Sequence, residues 1–421
     1  MTTTATLVAD YTARFSAHLL DDHSVGSGLG LWLLLALLAP ATEGEDRRRL
    51  EAELGTDADD AARRAGLLLA DPHPAVQAAV AVWDRSEILG PLFATWSSSL
   101  PEQVERGAIP TQAEADAWAD RVSLGMIPTF PSIDPSVAVL LASALATDVT
   151  WIEPFRGEDA RNLGGAFGGS IALGLRARKG HTQMLADTEA AGMVAVHAAR
   201  ALNDLQVISV IGPPEATPGQ VHVAAHQVAR LLAADDRQAH QVDLWDLELG
   251  DGHAWTLTEE DSDGTRYRGD TQEVRSMLAA WSVRSDHDLG GAPGVADVIA
   301  ALARFLNDPN DIIGVRAHQS AVAEFTREGF RAAAITDLML LGAGHPAPRD
   351  DRFRLAEVRF NRPYAVLAIA LGPRDRVSSW ADVPVFSAWV GRVDDTPRED
   401  RRQRAAERRA ELRSRSGGVE S

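Results

Sequence analysis

The chain has 421 residues, 45% hydrophobic and 24% charged, the balance of a globular protein long enough to bury a sizeable core. It contains no cysteine, which excludes disulfides, cysteine-ligated metals and a cysteine nucleophile. Its formal charge of −19 argues against general nucleic-acid binding, because phosphate contacts need a basic face; it favours solubility and admits a basic partner.

In chain order, Met1–Asp10 has neither the basic start nor the long apolar core of a secretory signal. Ala, Leu and Arg dominate residues 5–20, 30–38 and 46–54, which predicts three helices, with Asp46 as a cap and Gly55 as a stop. The apolar run Leu29–Leu38 is far shorter than the roughly 20 residues a membrane span needs, so a buried helix, no membrane contact and a cytoplasmic location are expected. Prolines around Ile127-Pro-Thr-Phe-Pro131 interrupt the helices. Val137–Leu145 is continuously apolar, as a strand buried on both faces would be. Val207–Ile211, ended by Gly212-Pro-Pro214, is a second strand, and Tyr364–Leu371 and Val385–Val390 are two more. Helices first and strands later predict an α+β fold without internal repeats. Residues 398–421 hold eight arginines against five acids and read as a solvated or frayed helix, with docking onto the acidic body as the alternative.

Motifs for catalysis are weak. Gly164-Gly-Ala-Phe-Gly-Gly-Ser170 is glycine-rich, but no Gly-Lys-Ser/Thr follows, so it reads as a flexible loop and not as a phosphate cradle. There is no Gly-x-Ser-x-Gly elbow and no His-Glu-x-x-His. His222 and His226 have helical i, i+4 spacing but no acid between them; they, His181 and His197 read as core or solvent histidines. No metal, cofactor or enzymatic activity is expected.

The C-terminal quarter is the most telling. Glu324-Phe-Thr-Arg-Glu-Gly-Phe-Arg-Ala-Ala-Ala-Ile-Thr336 leads into a long loop, then Phe360-Asn-Arg-Pro-Tyr364, and ends at Phe386-Ser-Ala-Trp-Val-Gly-Arg-Val-Asp-Asp-Thr-Pro397. This resembles the serpins: a strand, a hinge Glu-x-Gly-Thr-Glu-Ala-Ala, a protease-bait loop, and two closing strands. Ser27-Gly-Leu-Gly30, Ala41–Asp46, Ala117-Trp118, Ser143–Phe155 and Ala280–Leu289 resemble further serpin segments in the correct order. The resemblance spans most of residues 5–397 and implies one serpin-like domain over 1–397, with N-terminal helices packed on large mixed and antiparallel sheets and an exposed reactive loop from about Gly329 to Glu357.

What the resemblance implies for function is a suicide-substrate trap for a serine (or cysteine) peptidase, acting as a monomer without nucleic acid or membrane. The hinge falls on Glu328, Gly329, Phe330, Arg331, Ala332, Ala333 and Ala334, and the sheet-opening region on Ser27, Ser143 and Gln319. Counting Gly329 as the fifteenth residue before the scissile bond places that bond at Ala343-Gly344, with Leu340 or Leu341 as alternatives because the loop is long. The site offers no Arg or Lys, which disfavours a trypsin-like target and favours an elastase- or subtilisin-like one. If the loop inserts as a strand, Phe330, Ala332 and Ala334 point inward and Arg331 and Ala333 outward. The sequence departs from the serpin pattern where Gly28 and Gly30 replace Pro and Ser, Ser143 replaces Asn, and Gln319 stands at the position of a buried histidine. Phe330 stands where a small residue is usual, and a large ring there is expected to oppose insertion by about 1–3 kcal/mol. The alternative is a non-inhibitory binding or scaffold protein whose loop is only a substrate.

Overall fold

The apolar run at Leu29–Leu38 folds as the helix Gly28–Leu38, the spine of the molecule. A helix apolar on every side must be covered on every side, and ten of its eleven residues are buried. In the computed structural model, which describes residues 2–234, 241–261, 271–306, 317–330, 352–373 and 378–394, this helix packs between the strands Val139–Ala146 and Val383–Val390. Leu29, Trp32 and Leu33 have no exposed surface; each large apolar side chain so buried contributes about 1.5–3 kcal/mol.

The expected N-terminal helices are present as Thr4–Leu19 and Gly44–Leu54. Asp46 is not the cap of the latter: extended Glu43 holds that position, and Asp46 lies in the first turn, where its charge still suits the helix dipole. Gly55 ends the helix at φ +74°, a conformation that glycine adopts without strain. Helices also occur later in the chain, at Pro218–Ala233 and Val295–Ala303.

A six-stranded antiparallel sheet runs in the order Ser24–Gly26, Val383–Val390, Tyr364–Ala370, Leu205–Ile211, Gly192–Ala201, Thr182–Thr188. Its three long central strands are buried at every residue. One face, with Val207 and Val366, joins the main core; the other, with Ile208 and Leu367, packs beneath the helix Pro218–Ala233. A second six-stranded sheet contains Trp255–Asp261, Arg352–Arg359 and Thr271–Leu278, the last two parallel. Arg352–Arg359 therefore overturns the expectation that the loop extends to Glu357, which pairs with Thr256 and Arg275 inside this sheet.

Two smaller sheets complete the fold. One joins Trp281–Asp288, His318–Phe325, Gly329–Phe330 and Val149–Thr150; the other joins Glu105–Ala108, Gln77–Asp84 and Val139–Ala146. Val139–Ala146 is not buried on both faces as its apolar run predicts. Only Ala142 and Ala146 are buried, and among the described residues one edge of the strand has no neighbouring strand.

Candidate strand-insertion site

Among the described residues, Val139–Ala146 carries a strand partner on one side only, and His318–Phe325 is paired on its second side only at Phe325, by Phe330. The first pairs with Gln77–Asp84 and the second with Trp281–Asp288; among the described residues no backbone pairing joins the two. Between them lies a cleft of about 100 Å³, flanked by Leu141, Ser143 and Leu145 on one strand and by His318, Ser320 and Val322 on the other. Leu31 and Leu34 of the spine helix close one side. Trp118, in the helix Gln112–Val122, and Phe130 close the opposite side, where they stack edge-on with each other and with Trp83. An unpaired strand edge presents backbone donors and acceptors that water or another strand must satisfy. Two such edges facing one cleft make a receptacle for a strand.

Ser27, Gln319 and Ser143 converge at the start of the spine helix. Gln319 pinches the backbone of Ser27: Oε1 accepts from Ser27 N at 2.8 Å and Nε2 donates to Ser27 O at 2.9 Å. The Ser27 hydroxyl donates to Val385 O at 2.6 Å and accepts from Gly30 N at 3.2 Å, so one side chain caps the helix and ties it to the six-stranded sheet. Gly30 sits in close approach: a Cβ there would lie 3.1 Å from Ser143 Oγ and 3.0 Å from Leu145 Cδ1, so both side chains would have to shift by a few tenths of an ångström. The three residues named from the resemblance are thus spatial neighbours, each lining the cleft.

At the end of the cleft the chain turns back on itself. After Phe325, the Thr326 hydroxyl accepts from Glu328 N and Gly329 N, and Gly329–Phe330 then runs antiparallel to both flanks. Phe330 faces Phe325 on one side and Val149 on the other. Its ring is buried, edge-on to Trp281 at 6.3 Å. The turn is anchored from the opposite strand, where Trp151 N donates to Glu328 O and Phe155 N to Arg327 O, both at 3.0 Å. Trp151 Nε1 donates to Thr326 O and Arg327 Nε to Phe155 O. Gly329 and Phe330 thereby occupy the first two places of a strand between His318–Phe325 and the continuation of Val139–Ala146. Arg331, Ala332, Ala333, Ala334, Ala343 and Gly344 lie outside the described residues.

The other candidates have structural roles. Gly164–Ser170 is not a flexible loop: it contains a one-turn helix, Gly165–Gly168, with Phe167 buried and its N–H donated to Asn361 O. A Cβ on Gly165 would lie 2.8 Å from that same oxygen, so the glycine serves packing. His222 and His226 are both buried on the helix Pro218–Ala233; burial pushes the first down to about 4 and the second to about 3, and His222 Nε2 meets Leu20 O. Among the described residues no group of three or more potential metal ligands occurs. The sequence reading missed a bonded pair of buried histidines, His181 and His197, beside Phe155. Their separation by sixteen residues carries no local signal, because a strand pairing brings them together.

No family model matches this chain, and no curated protein matches its sequence. Solved structures match over almost its whole length. Human thyroxine-binding globulin, in complex with thyroxine, superposes with a TM-score of 0.60 at 14% identity, covering 93% of this chain and 99% of that one. The thermophilic serpin tengpin in its native state gives 0.60 at 13%, covering 91% and 92%. Serpin48 from the insect Tenebrio molitor gives 0.57 at 12%, covering 93% and 98%. The chain has the serpin fold, and the α+β architecture anticipated from the resemblance is present. No helix among the described residues is long and apolar enough to cross a membrane.

Proposed function

We propose that this protein traps a serine-type peptidase, its loop serving as bait and then inserting as a new strand between Val139–Ala146 and His318–Phe325. The observation that carries this reading is the cleft between two unpaired strand edges, with Gly329–Phe330 already paired at its end. A strand entering there would continue an existing ladder, so each added residue closes backbone bonds on both sides. Alternation from buried Phe330 would turn Ala332 and Ala334 inward and Arg331 outward, which needs no buried charge. The bond offered to the peptidase is Ala343-Gly344, in an apolar, small-residue context suited to an elastase- or subtilisin-like enzyme.

The test is to incubate the intact protein with elastase, subtilisin and trypsin and resolve the products on a denaturing gel. The trap predicts a covalent complex that survives denaturation with the first two, and fragments ending at Ala343. Clean cleavage without complex would favour the non-inhibitory alternative, in which the loop is only a substrate.

A further inference from the structure

We propose that the hydrogen-bonded pair His181–His197 is an acid-sensitive catch that holds the turn Thr326–Glu328, and with it the entrance to the cleft, through Phe155. Its significance for trapping rests on the reading above; the catch itself is argued from packing alone.

The pair is built for one protonation state. His181 Nε2 lies 2.7 Å from Glu153 O, an acceptor, so that nitrogen carries the hydrogen. His181 Nδ1 must then accept, and His197 Nε2 donates to it across 3.0 Å. His197 has no exposed surface, and its remaining nitrogen, Nδ1, has no partner. Two neutral rings thus satisfy every donor. A third proton cannot be placed without loss. On His197 Nδ1 it creates a buried N–H with nothing to receive it. On His181 Nδ1 it sets two N–H groups against each other, or forces His197 to the other tautomer and the same orphaned N–H. Burial holds both histidines below their ordinary range, His197 well below.

Few charges face the pair. Glu153 and Arg178 act on His181 with opposite sign, and among the described residues the ionisable neighbour that acts on His197 is His181. From the adjoining strands His197 is flanked by Gln183 and Ser209, neither ionisable. Glu153 is already engaged, its carboxylate accepting from Gly180 N. Arg327 and Glu328 belong to the turn itself, where Arg327 bonds the Phe155 backbone and Glu328 O accepts from Trp151 N.

The coupling passes through one ring. Phe155 sits 4.7 Å from His181 and 5.2 Å from His197, and 5.4 Å from Phe325 on its other side. Its N–H and C=O are the groups that bond Arg327. A pair that takes up a proton must separate or reach water, and Phe155 is the side chain it would displace. Protonation therefore frees the 326–328 turn without requiring the core to unfold. On the trap reading, loop insertion would become faster in acid.

Amide hydrogen exchange of the intact protein, without peptidase, tests this between about pH 7.5 and about pH 5, where histidines change charge. After correction for intrinsic rates, the amides of Trp151 and Phe155 should exchange ~10-fold faster at the acid end, the equivalent of one pKa unit. The Ser27 amide and the spine helix Gly28–Leu38, which carries no titratable side chain, should be unaffected. In His197→Gln, whose amide can still donate to His181 but cannot titrate, the acid response should vanish; His181→Gln provides a second variant if the first does not fold. An unchanged rate at Trp151 and Phe155 in the wild type would overturn the proposal. So would a rise shared equally by Ser27 and the helix, or a His197→Gln protein that responds like the wild type. Because no loop cleavage is involved, a protein that keeps this response yet never captures a peptidase would lose the trap and retain the catch.

Discussion

Gln319 shows how much a single side chain can decide at this site. Its amide satisfies both backbone groups of Ser27, the residue that starts the spine helix. Gln319→Ala would leave a part-buried N–H and C=O without that partner, and a loss of about 1–3 kcal/mol in denaturant unfolding is expected. Phe330 changes meaning once it is seen in place. The expectation that its ring opposes insertion presumed a packed sheet with no room, but the ring is already buried against Trp281. Phe330→Ala should therefore destabilise the protein, by about 3 kcal/mol, measured in the same unfolding experiment. His222 sets a pH dependence. Its folded-state value of about 4 lies below the ordinary 6.5, so the unfolded chain binds the proton first as pH falls. Stability from this group is complete above pH 6.5 and is lost progressively down to about pH 4. His222→Gln should flatten the stability-against-pH slope in that window, by up to about 3 kcal/mol at its acid end.

At the scale of elements, the spine helix and the turn at 326–328 hold the two ends of the cleft. Ser27 caps the helix and anchors it to Val385, so Ser27→Ala removes a cap and a buried bond together. A loss of about 1–2 kcal/mol is expected, read by thermal or denaturant melting. The spine helix was legible because ten apolar or glycine residues in a row leave no polar face to expose. The strand Val139–Ala146 was legible as a strand but not as a half-buried edge. Apolar composition reports that a strand can be covered, and not whether a neighbour is there to cover it. The strand Arg352–Arg359 was mistaken for loop because its three arginines at 352, 354 and 359 and its one glutamate, Glu357, hide the alternation; Arg354 is accommodated by stacking on Trp245 and bonding Glu259.

For the whole molecule, the trap reading makes a thermodynamic prediction. Completing the sheet adds two ladders of backbone bonds, so the nicked protein should melt well above the intact one in a calorimetric scan. Ala334→Arg should still be nicked but lose that gain, since the inserted strand would bury an unpaired charge. Equal melting temperatures for intact and nicked wild-type protein would remove the insertion mechanism. The sequence by itself determined the spine helix, the first cleft strand and the closing strands, which follow from apolar runs, glycines and prolines acting locally; the second cleft strand and the hinge position were expected only from the resemblance. It also brought Ser27, Ser143 and Gln319 together as one region through resemblance. Only the tertiary structure decided that, among the described residues, the two cleft strands do not pair with each other, that the Phe330 ring is buried, and that His181 meets His197. Each of these depends on contacts between residues far apart in the chain, where a missing neighbour or a shared pocket leaves no periodic trace in sequence.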